Sequence, residues 1–133
     1  MIVVDASALV ELVSARPPPL RLTARLLGSN DLHAPHLVDV EATHGLGRLV
    51  MSGELTAERA SDARVDLSEL KITRYAHHHL LARAWELRHT VSTYDAVYVS
   101  LAELLPAPLV TCDARLAGST GHDAEIELYE PDA

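Results

Sequence analysis

The sequence predicts an α/β domain of three layers, with helices on both faces of a mainly parallel central sheet. Two observations lead to this fold class. Short apolar or β-branched runs alternate with longer segments of helical periodicity along the chain, which is the order that parallel sheets require. The chain has 133 residues, of which 48% are hydrophobic, and this is enough to bury the core of one domain. We therefore expect residues 1–133 to form a single domain.

The first half of the chain is predicted to contain two strands and four helices. The β-branched run 2–4 predicts a buried strand that ends at Asp5. Apolar residues at helical spacing indicate the helices, and proline or glycine separates them. The further elements, in order, are a helix over 7–13, a proline break at 16–19, a helix over 20–27 closed by Gly28, a strand over 32–35, a helix over 36–51 ended by Gly53, and a helix that follows a Thr56 cap and continues to about residue 70.

The second half is predicted to contain three strands and three helices. The same signals apply, together with helix caps at serine, threonine and aspartate. The elements, in order, are a strand over 71–75, a helix over 78–88, a helix that residue 92 or 93 caps and that continues to 105, a strand over 109–111, a short helix that Asp113 opens and that stops near Gly118, and a strand over 126–129.

Charge and cysteine content limit the classes of function. The formal net charge is −8, whereas proteins that bind nucleic acid through charge alone are usually basic. Any contact with nucleic acid must therefore rest on a local site, where bound cations supply positive charge. The single cysteine, Cys112, excludes an internal disulfide and suits a reducing compartment. The N-terminal segment has no basic region of a signal peptide, and we expect a cytoplasmic protein.

Four acidic residues stand where an open α/β sheet forms its sites, outside the carboxyl ends of the strands. Asp5 directly follows the first strand, and Asp113 lies two residues after the strand that ends at Thr111. Glu41 lies in the first half of its helix, and Asp95 lies in the first turn of another. Parallel strands bring these strand ends and helix starts to one edge. The order of the chain therefore predicts that the four acids converge.

Clustered carboxylates repel one another, and a divalent cation removes that cost. Magnesium prefers oxygen ligands and keeps waters that phosphate can replace, so the pattern predicts metal-assisted hydrolysis of phosphodiesters. Each acid taken alone also has a structural interpretation. Asp95 and Asp113 suit helix N-termini, and Glu41 suits a solvated helix face. Asp5 is the hardest to explain in this way, because a lone aspartate that closes an apolar strand needs a partner.

Three segments of the chain carry a family resemblance. They are MIVVDASAL at 1–9, STYDAVYVSLAE at 92–103 and LVTCDARLA at 109–117, each built around one of the acids. A fourth element is looser and consists of Pro35, Glu41 and the run LGRL at 46–49. In this order and spacing the sequence resembles a PIN domain, specifically the VapC-type toxin ribonucleases of bacterial and archaeal toxin–antitoxin pairs.

The resemblance implies a PIN-like fold and an endoribonuclease that depends on magnesium, with manganese as a substitute, and that cuts cellular RNA. It also implies a cognate antitoxin that blocks the site, and a homodimer as the basic unit. The implied catalytic and metal-binding positions are Asp5 and Asp95 as the most consistent ligands, Glu41 and Asp113 as the acids that complete the pocket, and Ser7 and Thr111 as hydroxyls that orient those acids.

The arginines of the chain leave open questions. Some relatives carry a further acid shortly after the last motif acid, where this chain has Arg115, and this weakens the expectation of a second firmly held metal. Arg115 has two interpretations, as a phosphate contact or as a surface residue. Arg16, Arg21 and Arg25 likewise form either a basic strip at the rim of the site or a solvated helix face.

Other hypotheses account for the sequence less well. A PIN-fold binding module without activity would lack one or more of the four acids, and all four are present. A phosphoaspartate receiver-like domain needs paired acids after its first strand and a late lysine, whereas Ala6 follows Asp5 and the only lysine is Lys71. The run 77–79 of three histidines suggests zinc, but consecutive helical residues point in different directions, so a solvated helix start is the preferred interpretation.

Overall fold

The computed structural model of the chain describes residues 1–29 and 31–130. It contains strands and helices in the predicted order. The strands are β1 (Ile2–Val4), β2 (Leu32–Pro35), β3 (Ile72–Tyr75), β4 (Leu109–Thr111) and β5 (Ile126–Leu128). The helices are α1 (Ala6–Ser14), α2 (Leu20–Ser29), α3 (Leu37–Met51), α4 (Ala57–Glu69), α5 (Leu81–Glu86), α6 (Thr93–Leu104) and α7 (Ala114–Ala117), and a 3₁₀ turn (His78–Leu80) precedes α5.

The five strands form one sheet in the order β3-β2-β1-β4-β5, and every pair in it is parallel. The predicted fold class is therefore confirmed, and the sheet is wholly rather than mainly parallel among the described residues. β1 lies at the centre, where Val3 pairs with His33 of β2 and Val4 pairs with Val110 of β4. The loops after β1 and β4 consequently meet at one edge of the sheet.

Helices cover the two faces of this sheet in separate groups. α1, α3 and α4 pack against one another, whereas α5 packs against α6, which lies on β1 and β2. The core between them is aliphatic, as a chain without phenylalanine requires. Tyr98 of α6 is the exception, because its large ring is only 1% exposed. The hydroxyl of a tyrosine buried to this degree needs a hydrogen-bond partner.

Two helix boundaries differ from the prediction. α2 does not stop at residue 27 but continues through Gly28 to Ser29. The helix predicted over 78–88 is divided into the 3₁₀ turn and the shorter α5, which ends at Glu86. At its end the Leu87 amide donates to the carbonyls of both Arg83 and Ala84, so the last turn tightens and the helix stops.

Within the described residues, the structure contains no helix with the length and apolar character needed to cross a bilayer.

Candidate active site

Asp5 lies where β1 ends and α1 begins, and it is only 5% exposed. Its Oδ1 accepts hydrogen bonds from the Ser7 hydroxyl at 2.7 Å and the Ala8 amide at 3.1 Å. Its Oδ2 accepts one from the Thr111 hydroxyl at 2.6 Å. Burial raises the pKa of Asp5 to about 6, although these three donors lower it, and the charge of Asp95 adds to the rise. The carboxylate is thus firmly oriented but not neutralised.

The two hydroxyls that orient Asp5 also join the loops that follow β1 and β4. Ser7 Oγ accepts the Cys112 amide at 3.0 Å, and Thr111 Oγ1 accepts the Asp113 amide at 3.0 Å. Each hydroxyl has one proton, and each gives it to Asp5. The backbone next to Asp113 is therefore positioned through the same atoms that hold Asp5.

Glu41 reaches the site from α3 and is held by a residue of α6. The Tyr98 hydroxyl donates to Glu41 Oε1 at 2.6 Å. Burial is the main cause that raises the pKa of Glu41, the bond from Tyr98 opposes it, and the charge of Asp95 raises it further. Burial and the nearby carboxylate also keep the pKa of Tyr98 far above its usual range, so this phenol remains a donor.

Asp95 lies in the first turn of α6, whose N-cap Ser92 accepts the Asp95 amide at 3.1 Å. Burial raises the pKa of Asp95 most, followed by repulsion from Asp113, whereas a hydrogen bond from the Ser92 side chain and then the charge of Arg115 lower it. The nearest arginine nitrogen is Nη2 of Arg115, 4.0 Å from Asp95 Oδ2, and Arg115 is 84% exposed. Charge compensation at Asp95 is therefore weak.

Asp113 has the helix-capping role that its sequence position suggested. Its Oδ1 accepts the Arg115 amide at 2.9 Å and so caps α7. Its Oδ2 lies 3.7 Å from Nη2 of Arg115, beyond hydrogen-bond distance. One oxygen of Asp113 is thus engaged in the cap, and the other remains available to a further partner.

Asp95 interacts electrostatically with each of the other three acids, which shows that the four lie in one region of the structure. It raises the pKa values of Asp5 and Glu41, and Asp113 raises that of Asp95. Even so, no three carboxylate, imidazole or thiol groups of the described residues stand close enough to form a ready-made metal cluster. The acids still fit magnesium, which prefers oxygen donors, keeps several waters and can bind carboxylates through them.

The arginine strip that the sequence suggested is engaged in other contacts. Arg25 forms a two-pronged pair with Glu127, with distances of 2.8 and 3.0 Å. Arg16 lies 3.8 Å from Asp66. The guanidinium of Arg21 lies over the ring of Tyr129, 5.7 Å from its centroid. These contacts favour the interpretation of the strip as structural and solvated helix surface.

Sequence analysis assigned no role to Tyr98, although the residue stands in the motif around Asp95. It follows Asp95 by three positions, so both lie on the same side of α6. That spacing was the available signal, but the partner of Tyr98 lies on α3, 57 residues away along the chain. Only the packing of α3 against the sheet shows that the tyrosine holds Glu41.

Comparisons with known proteins give one consistent result. The family model of the PIN domain matches residues 2–118. Ribonuclease VapC1 of Mycobacterium tuberculosis is 42% identical over 127 residues, which are 95% of this chain and 96% of the relative. Ribonuclease VapC12 of the same organism is 41% identical over 128 residues, which are 96% of this chain and 98% of the relative.

Solved structures share the fold. A protein from Pyrobaculum aerophilum has a TM-score of 0.68 and 27% identity, over 94% of this chain and 81% of that one. VapC20 of Mycobacterium tuberculosis, a toxin described as cleaving the sarcin–ricin loop, has a TM-score of 0.62 and 22% identity, over 90% of this chain and 97% of that one. The likeness therefore extends over nearly the whole sequence and the whole fold.

Proposed function

Because the chain belongs to the PIN-domain family, and within it to the VapC-type ribonucleases, we propose that it is a magnesium-dependent endoribonuclease that acts as the toxin of a toxin–antitoxin pair. The substrate is cellular RNA, and the reaction is hydrolysis of a phosphodiester bond. The proposed catalytic residues and metal ligands are Asp5, Glu41, Asp95 and Asp113. Ser7 and Thr111 are positioning residues, and manganese is a possible substitute for magnesium.

The observation that carries this proposal is the state of the carboxylates around Asp95. Three of the four acids have raised pKa values, caused by burial and by mutual repulsion. A protein retains such a group at a cost in stability, so it needs a bound cation or a function to offset that cost. The net charge of −8 points the same way, because RNA approaches an acidic chain only at a local site that supplies positive charge, as a bound cation at the four acids would.

Each residue has a separate task in the proposed site. Ser7 and Thr111 fix both oxygens of Asp5, and Tyr98 fixes one oxygen of Glu41. A magnesium ion bound at these acids would lower the pKa of a water and neutralise charge on the phosphate and the leaving oxygen. The chain orients the metal ligands before RNA binds. The reaction therefore requires no free energy for reorganising these groups.

The proposed partner is a cognate antitoxin that occupies the acid site. An arginine of that partner would pair with the carboxylates and exclude the metal, since a guanidinium matches a carboxylate with two parallel hydrogen bonds. The proposed basic unit is a homodimer. Expression together with the neighbouring reading frames should yield a small protein that copurifies with this chain. The mass of the complex in solution should correspond to two copies of this chain together with the partner, and purification of a lone monomer would contradict both expectations.

A direct experiment tests the activity. Pure protein is incubated with total RNA and magnesium, with and without EDTA, beside Asp5→Asn and a matched Asp62→Asn control on the exposed side of α4. We expect the parent and the control to cut RNA only when metal is free, and the Asp5 variant to lose more than about 100-fold in rate, beyond the cost of losing a supporting residue. An Asp5 variant as active as the parent would refute the four-acid mechanism.

The alternative is a PIN-fold module that binds RNA or protein without hydrolysing it. The full set of acids counts against it, because a module without catalysis has no reason to keep uncompensated carboxylates. The experiment above separates the two, since such a module would leave RNA intact with magnesium present.

A further inference from the structure

A cavity of about 320 Å³ lies directly beside the acid site, and Asp95 forms part of its wall. Its other polar lining residues come from the segment before α6 and from α7: they are Arg88, His89, Thr90, Ser92 and Arg115. In a chain with eight more negative than positive charges, a cavity with two arginines and one histidine is an unusual environment. We call this cavity the arginine pocket.

Arg88 differs from the arginines that stabilise the fold. Arg25, Arg74 and Arg83 each place two nitrogens on one carboxylate, that of Glu127, Asp39 and Glu103 respectively. Arg88 has no carboxylate oxygen within 4.0 Å among the residues that the structure describes.

Two contacts nevertheless hold the guanidinium of Arg88 in place. Its carbon lies 4.4 Å from the centre of the Trp85 ring, and Nη1 donates to the Trp85 carbonyl at 2.9 Å. A guanidinium has five N–H donors, and most of those of Arg88 have no partner among residues 1–29 and 31–130. The stacking thus orients the group and leaves it able to bind an anion.

One further group of the arginine pocket, Arg115, has donors to offer. Arg115 is 84% exposed and lies 3.7 and 4.0 Å from the carboxylates of Asp113 and Asp95, so it is attracted to them without a hydrogen bond. Ser92 Oγ accepts the Asp95 amide, and a hydrogen bond from the Ser92 side chain also lowers the pKa of Asp95, so the Ser92 proton is directed to that carboxylate. Thr90 likewise gives its proton within the chain, to the Leu87 carbonyl.

We propose that the arginine pocket binds a backbone phosphate of single-stranded RNA, next to the phosphodiester that is hydrolysed at the acids. The inference rests on the proposed function and adds the place of the neighbouring nucleotide. The guanidinium groups of Arg88 and Arg115 donate to the phosphate oxygens, because planar guanidinium groups match phosphate. The carboxylate of Asp95 on the adjoining wall separates this phosphate from the one at the metal.

The position of the pocket favours RNA over an acidic peptide. An RNA chain whose scissile phosphate lies at Asp95 has its next phosphates one or two nucleotides away. The arginine pocket adjoins Asp95, so it lies where such a flanking phosphate would be. Trp85 is 66% exposed and offers an aromatic surface beside Arg88, of the kind on which single-stranded bases stack. An acidic peptide in the pocket would be repelled by the carboxylates of the adjoining acid site.

The chain carries its own probe of the pocket, since Trp85 is the only tryptophan. A phosphate that engages Arg88 changes the cation over the indole ring and therefore the emission of Trp85. The experiment measures the binding of full-length protein, with magnesium present, to a short single-stranded RNA of mixed sequence. Binding is followed by the anisotropy of a fluorescent label on the RNA, which reads the parent and every variant in the same way, and Trp85 emission of the parent reports whether the phosphate reaches Arg88. Phosphorothioate linkages make this RNA resistant to hydrolysis, so binding is measured apart from cleavage.

Four variants make the test specific. We expect Arg88→Ala and Arg115→Ala each to weaken RNA binding about tenfold, the cost of a lost charged hydrogen bond. Each should also reduce the slope of log K against log salt by about 0.7. Arg88→Lys should retain part of the affinity. Arg64→Ala removes an exposed arginine of α4 outside the pocket and should bind as the parent does.

The outcomes separate this inference from the proposed function. If the parent cuts RNA but the two pocket variants bind it as tightly as Arg64→Ala, the pocket assignment is wrong and the ribonuclease proposal stands. If the parent binds the RNA through the pocket but does not cut cellular RNA, the proposed catalysis fails instead. A polyglutamate peptide of equal charge serves as the second titrant, and its tighter binding would overturn the assignment in favour of an acidic protein partner.

Discussion

The two ends of α6 carry carboxylates in opposite electrostatic states. Near the C-terminal end, Glu103 accepts two nitrogens of Arg83 at 2.8 and 2.9 Å and the Asp123 amide at 2.9 Å. The hydrogen bond from Arg83 is the main cause that lowers the pKa of Glu103. In the first turn, Asp95 has no arginine nitrogen closer than 4.0 Å among the described residues, and burial raises its pKa.

The difference shows how one helix serves both the fold and the proposed chemistry. Glu103 is satisfied by the chain itself and contributes to stability. Asp95 is left for a partner from outside the chain, and it repels the other acids until that partner arrives. Residue type does not distinguish the two positions. The groups that neighbouring elements bring to each carboxylate decide which role it has.

The largest expected effect comes from neutralising the two carboxylates of α6, Asp95 and Glu103, in separate variants. Asp95→Asn should lower the rate of RNA hydrolysis by more than about 100-fold and leave stability equal or higher, because a repelling charge is removed. Glu103→Gln should keep the activity within about threefold but lower the free energy of unfolding by about 1–2 kcal/mol, since Arg83 loses a charged partner. Cleavage assays and denaturant titrations measure both. Equal losses of activity in the two variants would contradict the assignment of Asp95 to catalysis and of Glu103 to stability.

The pH dependence of stability should have opposite signs at the two kinds of acid. The pKa of Asp5 rises from 3.8 to about 6 on folding, so the folded state favours the neutral form and stability falls as pH rises from about 4 to 6. The full loss is roughly 2–3 kcal/mol. The lowered pKa of Glu103 has the reverse sign: its contribution is present at neutral pH and is lost on acidification.

Metal-free unfolding curves between about pH 3 and 7 check this prediction, because the Glu103 contribution is lost only as pH falls below about 4.5. Compared with the parent, Asp5→Asn should flatten the decline towards neutral pH, and Glu103→Gln should flatten the decline towards acid. Identical pH profiles for the parent and Asp5→Asn would show that the burial of Asp5 carries no electrostatic cost.

A smaller effect is expected at Tyr98, which supports the site from within the core. Tyr98→Phe removes the hydroxyl that holds Glu41 at 2.6 Å but retains the ring that fills the interior. We expect about a tenfold lower rate of hydrolysis, the usual range for a residue that orients a ligand. Tyr75→Phe is the control, because it removes a hydroxyl bonded to His33 outside the acid site and should leave the rate unchanged. A Tyr98 variant with the parental rate would show that Glu41 needs no support.

Much of the fold followed from local patterns in the sequence. Apolar runs and caps located the strands and most helices, because β-branched segments, proline, glycine and N-cap residues act within a few positions. Two helix boundaries were wrong, at Gly28 and within 78–88, because continuation or tightening of a last turn depends on hydrogen bonds that no spacing reveals. The roles assigned to the four acids remain predictions until the variants are measured.

The sequence by itself determined the parallel α/β fold, the family and which four acids stand near strand ends and helix starts. The alternation of strands with helices and the helical periodicity recur along the chain, so both can be recognised from the sequence alone. Only the tertiary structure decided that Tyr98 holds Glu41, that Arg25 pairs with Glu127, and that Arg88 has no carboxylate partner within 4.0 Å in the described part of the chain. These contacts join residues far apart along the chain. Whether a charged side chain is compensated depends on such packing, and no local pattern encodes it.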